Sequence, residues 1–220
     1  MKNDYTHITL VVDRSGSMNS IRTDAQGGIN TLLEEQKKVE GQCTASLYEF
    51  DDRYDRVFGP IDIKDAPNYD LVPRGSTALL DAVNRAINET GKFLKDLPEA
   101  LRPSQVKFIV VTDGYENASR EATRDMVRDA VKHQEDKYNW EFIYIGADPN
   151  TFQEAQRTGF TKSVRYTGAA TADMYLGLNN AITNSRMTGA STMDNMATSY
   201  GDTTQVTPTI STTLLVDEKE

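Results

Sequence analysis

The chain of 220 residues carries 24 Lys and Arg against 33 Asp and Glu, a formal charge of −9, with 38% apolar residues and one cysteine. That balance argues against a nucleic-acid binder, which needs surplus cations to neutralise phosphates, and the lone Cys43 excludes an internal disulfide and cysteine-rich zinc or iron–sulfur sites. The length suits one domain with an ample core plus a tail; the first apolar run, residues 8–12, is too short for a signal-peptide core or a membrane span, so a soluble cytoplasmic protein with no membrane contact is expected.

Ile8-Thr9-Leu10-Val11-Val12 reads as a buried strand ending at Asp13, followed by the turn and cap residues Arg14-Ser15-Gly16-Ser17. Residues 19–39 place Ile21, Ala25, Ile29, Leu32 and Leu33 at helical spacing, and Gly27-Gly28 within that helix predicts close packing against a neighbour. Residues 43–50 and 56–63 read as an antiparallel hairpin whose connection holds Asp51, Asp52 and Asp55, a solvated turn that lacks the glycine and distal glutamate of a calcium loop. After a loop over 67–76, a second amphipathic helix spans 77–97.

Residues 106–112 form the most apolar run and stop at Asp113-Gly114, which marks a central strand and a turn. A charged helix near 120–137 should face Ala122, Met126, Val127 and Val131 inward; a strand over 140–145, a short helix over 151–157, a brief strand around Val164 and a helix over 172–185 complete the body. Strands alternating with helices imply a Rossmann-like, doubly wound α/β fold: a mostly parallel sheet with one antiparallel edge strand and helices on both faces. The domain is assigned to residues 1–187. Residues 188–220 form a tail in which 12 of 33 residues are Ser or Thr, and its apolar Ile210 and Leu214-Leu215-Val216 would seek a sheet edge or groove, on this chain or on a second copy as a homo-oligomer.

In open α/β sheets ligands bind beyond the carboxyl ends of the strands. Asp13, Ser15 and Ser17 after the first strand, Thr77 entering the second long helix and Asp113 after the central strand all belong to that edge. Two carboxylates and three hydroxyls make an all-oxygen set suited to a hard cation such as Mg²⁺ or Mn²⁺. Taken singly, Ser15, Ser17 and Thr77 could each be helix caps, and Asp113-Gly114 a turn. His7 and His133 have no nucleophile at a recognisable spacing. Arg14 and Arg74 are expected on the rim of the site, either guiding an acidic partner or merely solvated.

Asp13-Arg14-Ser15-Gly16-Ser17, Gly75-Ser76-Thr77 and Thr112-Asp113-Gly114 together resemble the metal-ion-dependent adhesion site (MIDAS) of von Willebrand factor type A domains. The resemblance covers residues 5–187, including Ile145-Gly146-Ala147-Asp148 and Thr158-Gly159-Phe160. It implies that Ser15, Ser17 and Thr77 touch the metal by hydroxyl oxygens, while Asp13 and Asp113 act through water or hydrogen bonds. It further implies a non-enzymatic module whose ion takes an Asp or Glu carboxylate from a protein partner, a class that includes ring-shaped AAA+ ATPases. An enzyme on the same edge, a metal-dependent hydrolase or phosphotransferase, is the alternative, with a structural assembly subunit as a third. The absence of a phosphate-binding Gly-Lys loop, a dinucleotide fingerprint and a nucleophile elbow weighs against an enzyme.

Overall fold

The computed structural model describes residues 2–146, 149–165 and 171–192. In chain order the elements are β1 (Lys2–Asp13), α1 (Arg22–Lys38), β2 (Gln42–Phe50), β3 (Tyr54–Asp62), α2 (Leu79–Asp96), β4 (Pro103–Thr112), α3 (Arg124–Tyr138), β5 (Glu141–Gly146), α4 (Pro149–Arg157), β6 (Ser163–Arg165) and α5 (Thr171–Thr188). They build one six-stranded sheet in the order β3-β2-β1-β4-β5-β6. All pairings are parallel except β2 with β3, so β3 is the antiparallel edge expected from the hairpin.

Period-two alternation splits the core into two layers. Ile8, Leu10 and Val12 of β1, with Ile109 and Val111 of β4 and Ile143 and Ile145 of β5, pack against α1 and α5. Val11, Val106, Phe108, Val110, Phe142 and Tyr144 face the other way, against α2 and α3. Because both faces are covered, even polar residues of β1 are enclosed: Thr6, His7 and Thr9 are buried, which lengthens the strand beyond its apolar run.

Gly28 bears out the packing expected of the glycine pair: a Cβ there would lie 2.1 Å from the Tyr175 ring of α5, whereas one on Gly27 would meet nothing within 4 Å. Met126 departs from expectation and is exposed. The helix starts at Arg124 and turns Val127 and Val131, four apart, to the core, which leaves Met126 off that stripe.

At the amino edge of the sheet, Lys107 of β4 and Glu141 of β5 form a buried ion pair (2.6 Å). Glu141 also accepts from Lys162 Nζ, Ser191 Oγ and Thr192 N, each at 2.8 Å. Residues 191 and 192, assigned above to the tail, are thus fastened to the domain. The apolar residues expected to dock, Ile210 and Leu214-Leu215-Val216, lie outside the described residues. Among the described residues no helix is long and apolar enough to cross a membrane.

Candidate metal centre

The strand order places the reversal of winding between β1 and β4, and open α/β sheets take ligands beyond the carboxyl ends of the strands at such a reversal. β1 ends at Asp13 and β4 at Thr112, followed directly by Asp113. The Asp13 side chain is wholly buried and accepts from the Thr112 hydroxyl (2.6 Å) and the Ser15 amide (2.6 Å). Burial pushes its carboxyl up to about 6; the two hydrogen bonds pull the other way and the Asp113 charge adds to the rise.

Ser15 and Ser17 lie 3.1 Å apart through their Oγ atoms, and Ser17 Oγ donates to Asp113 Oδ1 at 2.8 Å. Thr77 is held by its backbone: its N–H donates to Asn117 Oδ1 (2.9 Å), and its carbonyl accepts from the amides of Asn117 (3.0 Å) and Ala118 (3.1 Å). The sequence-predicted residues therefore meet at one place. A Cβ built on Gly114 would lie 3.2 Å from Thr77 Oγ1, 3.3 Å from Ser17 Oγ and 3.4 Å from Asp13 Oδ2, so oxygens from the end of β1 with the loop after it and from the loop before α2 line one small space beside Gly114 that a side chain there would crowd.

Capping does not account for these hydroxyls. Ser15 precedes a 3-10 turn over Gly16–Ser20 without a side-chain cap bond, and α1 and α2 start after Ile21 and Ala78, neither of which caps by its side chain. The start of α2 is served instead by Glu116, which accepts from the Leu80 amide (2.9 Å), and by Ser119 Oγ, which accepts from the Asp81 amide (3.1 Å). Glu116 and Asn117 escaped the sequence reading; their only signal is a run of capping residue types after Asp113-Gly114.

The donor set fits a hard divalent cation, being all oxygen with two carboxylates and neutral hydroxyls. Among the described residues no three His, Cys, Asp or Glu side chains cluster as a metal site.

Arg14 corrects the rim expectation. Its side chain is buried and engages three carboxylates: Asp51 (2.9 Å from Nε), Glu49 and Asp55. A guanidinium committed in this way is not free for an incoming partner. Arg74 is half-exposed and also holds Asp51, at 2.7 Å, so of the two only Arg74 reaches the surface. Asp51, read from sequence as part of a solvated turn, is wholly buried; burial pushes its carboxyl up, but the hydrogen bonds from Arg74, the Arg53 amide and Arg14 outweigh it and hold the carboxyl below the usual range.

No protein-family model matches the chain, and no curated protein matches it. Solved structures do. The chain is similar to a von Willebrand factor type A protein from Catenulispora acidiphila, at 15% identity over 83% of this chain and 43% of that one, with a TM-score of 0.53. It is similar to the manganese-loaded TRAP protein of Plasmodium vivax, at 17% identity over 79% and 73%, TM-score 0.55. It is also similar to proximal thread matrix protein 1 of the mussel byssus, with a zinc-occupied MIDAS motif, at 16% identity over 78% and 45%, TM-score 0.53. The chain spans less than half the length of the first and third of these. At such identities the likeness is one of fold, and the fold of this chain is that of a von Willebrand factor type A domain.

Proposed function

We propose that the carboxyl edge binds one divalent cation, Mg²⁺ or Mn²⁺, and that the domain uses it to hold an Asp or Glu carboxylate of a protein partner. Ser15, Ser17 and Thr77 would hold the ion by their hydroxyls, with Asp13 and Asp113 supplying negative charge directly or through water. The observation that carries this reading is the convergence of Thr77 Oγ1, Ser17 Oγ and Asp13 Oδ2 above Gly114. The manganese and zinc named for two of the similar structures support a divalent ion of this kind. When bound, the ion supplies a positive centre incompletely neutralised by its hydroxyl ligands, and such a centre attracts a carboxylate.

The chain's own residues prepare that centre. The hydrogen bond from Thr112 fixes the Asp13 carboxylate, Asn117 fixes Thr77 from the side of β4, and half-exposed Arg74 faces solvent nearby to favour an acidic approach. The reading is non-enzymatic: among the described residues no histidine is bonded to the site's hydroxyls, and the base beside Ser17 is the Asp113 carboxylate, 2.8 Å away, to which its hydroxyl donates. His7, one of the chain's two histidines, is enclosed in the sheet layer instead. An acidic loop on an AAA+ ATPase ring is one partner that satisfies the chemistry.

Glutarate added to the Mn²⁺-loaded protein tests the carboxylate reading through water-proton relaxation. Replacement of a metal-bound water should lower the relaxation enhancement, and glutaramide should leave it unchanged. Equal effects of the two compounds, or metal-dependent turnover of phosphate esters abolished by Ser15→Ala, would contradict the proposal.

A further inference from the structure

The β2–β3 turn contributes none of the five candidate ligands, yet both loops that carry the hydroxyls are fastened to it. Asp51, in that turn, accepts from Arg14 Nε (2.9 Å), Arg74 Nε (2.7 Å) and the Arg53 amide (2.6 Å), and its carbonyl accepts from the Ala78 amide at 2.8 Å. Arg14 lies between Asp13 and Ser15, and Ala78 follows Thr77. Backbone bonds close the frame: Arg14 N to Phe50 O (2.8 Å), Arg74 N to Arg14 O (2.6 Å) and Gly16 N to Gly75 O (3.1 Å).

We infer that Arg14 and Asp51 are positioning residues for the metal centre, a buttress through which the β2–β3 turn sets the affinity and geometry of a site to which it gives no ligand. The inference rests on the metal reading above. Arg14 suits this role because its planar fork spans three carboxylates at once, those of Asp51, Glu49 and Asp55, which the compact ammonium of a lysine cannot reproduce. The hydroxyl of Tyr69 donates to Glu49 at 3.2 Å and steadies the far side of the cluster. Removing one member of this buried set leaves a charge without its partner. The loops then shift or admit water, and displacements of about 0.5 Å already degrade a constellation of ligands.

The test uses the full chain and Mn²⁺ alone, with affinity and line shape read by electron paramagnetic resonance and folding by circular dichroism. Arg14→Gln and Asp51→Asn should bind Mn²⁺ about ten-fold or more weakly, the scale typical of residues that support metal ligands, and their bound-Mn²⁺ spectra should broaden. Arg14→Lys should fall between these variants and the wild type. Glu141→Gln, which disturbs the buried ion pair at the opposite edge of the sheet, should lower the melting temperature and leave affinity and line shape unchanged. Asp51→Asn keeps the side-chain shape, and Asp55→Asn, at a half-exposed member of the cluster, gives a milder lesion should Arg14→Gln not fold; Asp55→Asn should also bind more weakly. Folded Arg14 and Asp51 variants with wild-type affinity and line shape would overturn the inference, as would an equal loss in Glu141→Gln. Absence of Mn²⁺ binding in the wild type would overturn the metal reading as well, so the two failures are distinguishable.

Discussion

At the scale of single residues, the proposed centre puts its sharpest demand on Gly114. It sits where a Cβ would press within 3.2–3.4 Å of three of the candidate ligand oxygens. Gly114→Ala should therefore weaken Mn²⁺ binding at least ten-fold by calorimetry while the circular-dichroism spectrum stays native, and undiminished binding would show that the space above Gly114 is not the metal position. His7 illustrates a second residue-scale effect. It is wholly buried, bonds Thr44 Oγ1 through Nδ1 at 2.8 Å and packs against the Phe93 ring, and burial lowers its pKa from 6.5 to about 3. The depressed value means that the unfolded chain takes up a proton first. The stability contributed by neutral His7 is thus complete above about pH 6.5 and is lost as pH falls toward 3. Urea unfolding at pH 7.5 and 4.5 should show a smaller acid loss for His7→Asn than for the wild type; parallel losses would contradict this account.

At the scale of elements, the alternation of strands with amphipathic stretches made the sheet and its helices legible, since apolar periodicity is a local property of the sequence. The starts of α1 and α3 were less so. Residues 16–20 form a 3-10 turn that delays α1 to Arg22, and Thr123, whose hydroxyl accepts the Met126 amide, caps α3 immediately before Arg124. The five ligand candidates could be read because each lies at a strand end or helix entry, positions fixed by the fold class. Where Arg14 points could not be read, because its three carboxylate partners are 35, 37 and 41 residues away, beyond any local pattern. The same holds for the burial of Asp51 and for Glu141 fastening residues 191 and 192. The glycine pair in α1 gives a clean element-scale prediction. Gly28→Ala must push against the Tyr175 ring and should cost about 1–3 kcal/mol. Gly27→Ala, exposed and with free space, should stabilise by up to about 1 kcal/mol. Denaturant unfolding of the two variants reads both signs, and equal effects would refute the proposed α1–α5 contact.

At the scale of the whole molecule, fold and site occupy separable parts of the architecture. The two apolar layers lie along the faces of the sheet, whereas the candidate ligands sit at its carboxyl edge, held by hydrogen bonds from neighbouring loops. The fold should therefore stand without the proposed ion, unlike a small zinc module, which would leave that ion to serve recognition. The most direct test is a calorimetric titration of Mg²⁺ into chelator-treated protein, run on the wild type and on Asp13→Ala. The account predicts one ion per wild-type chain and loss of binding in the variant, with both proteins melting cooperatively. Equal, stoichiometric binding by the two proteins would contradict it.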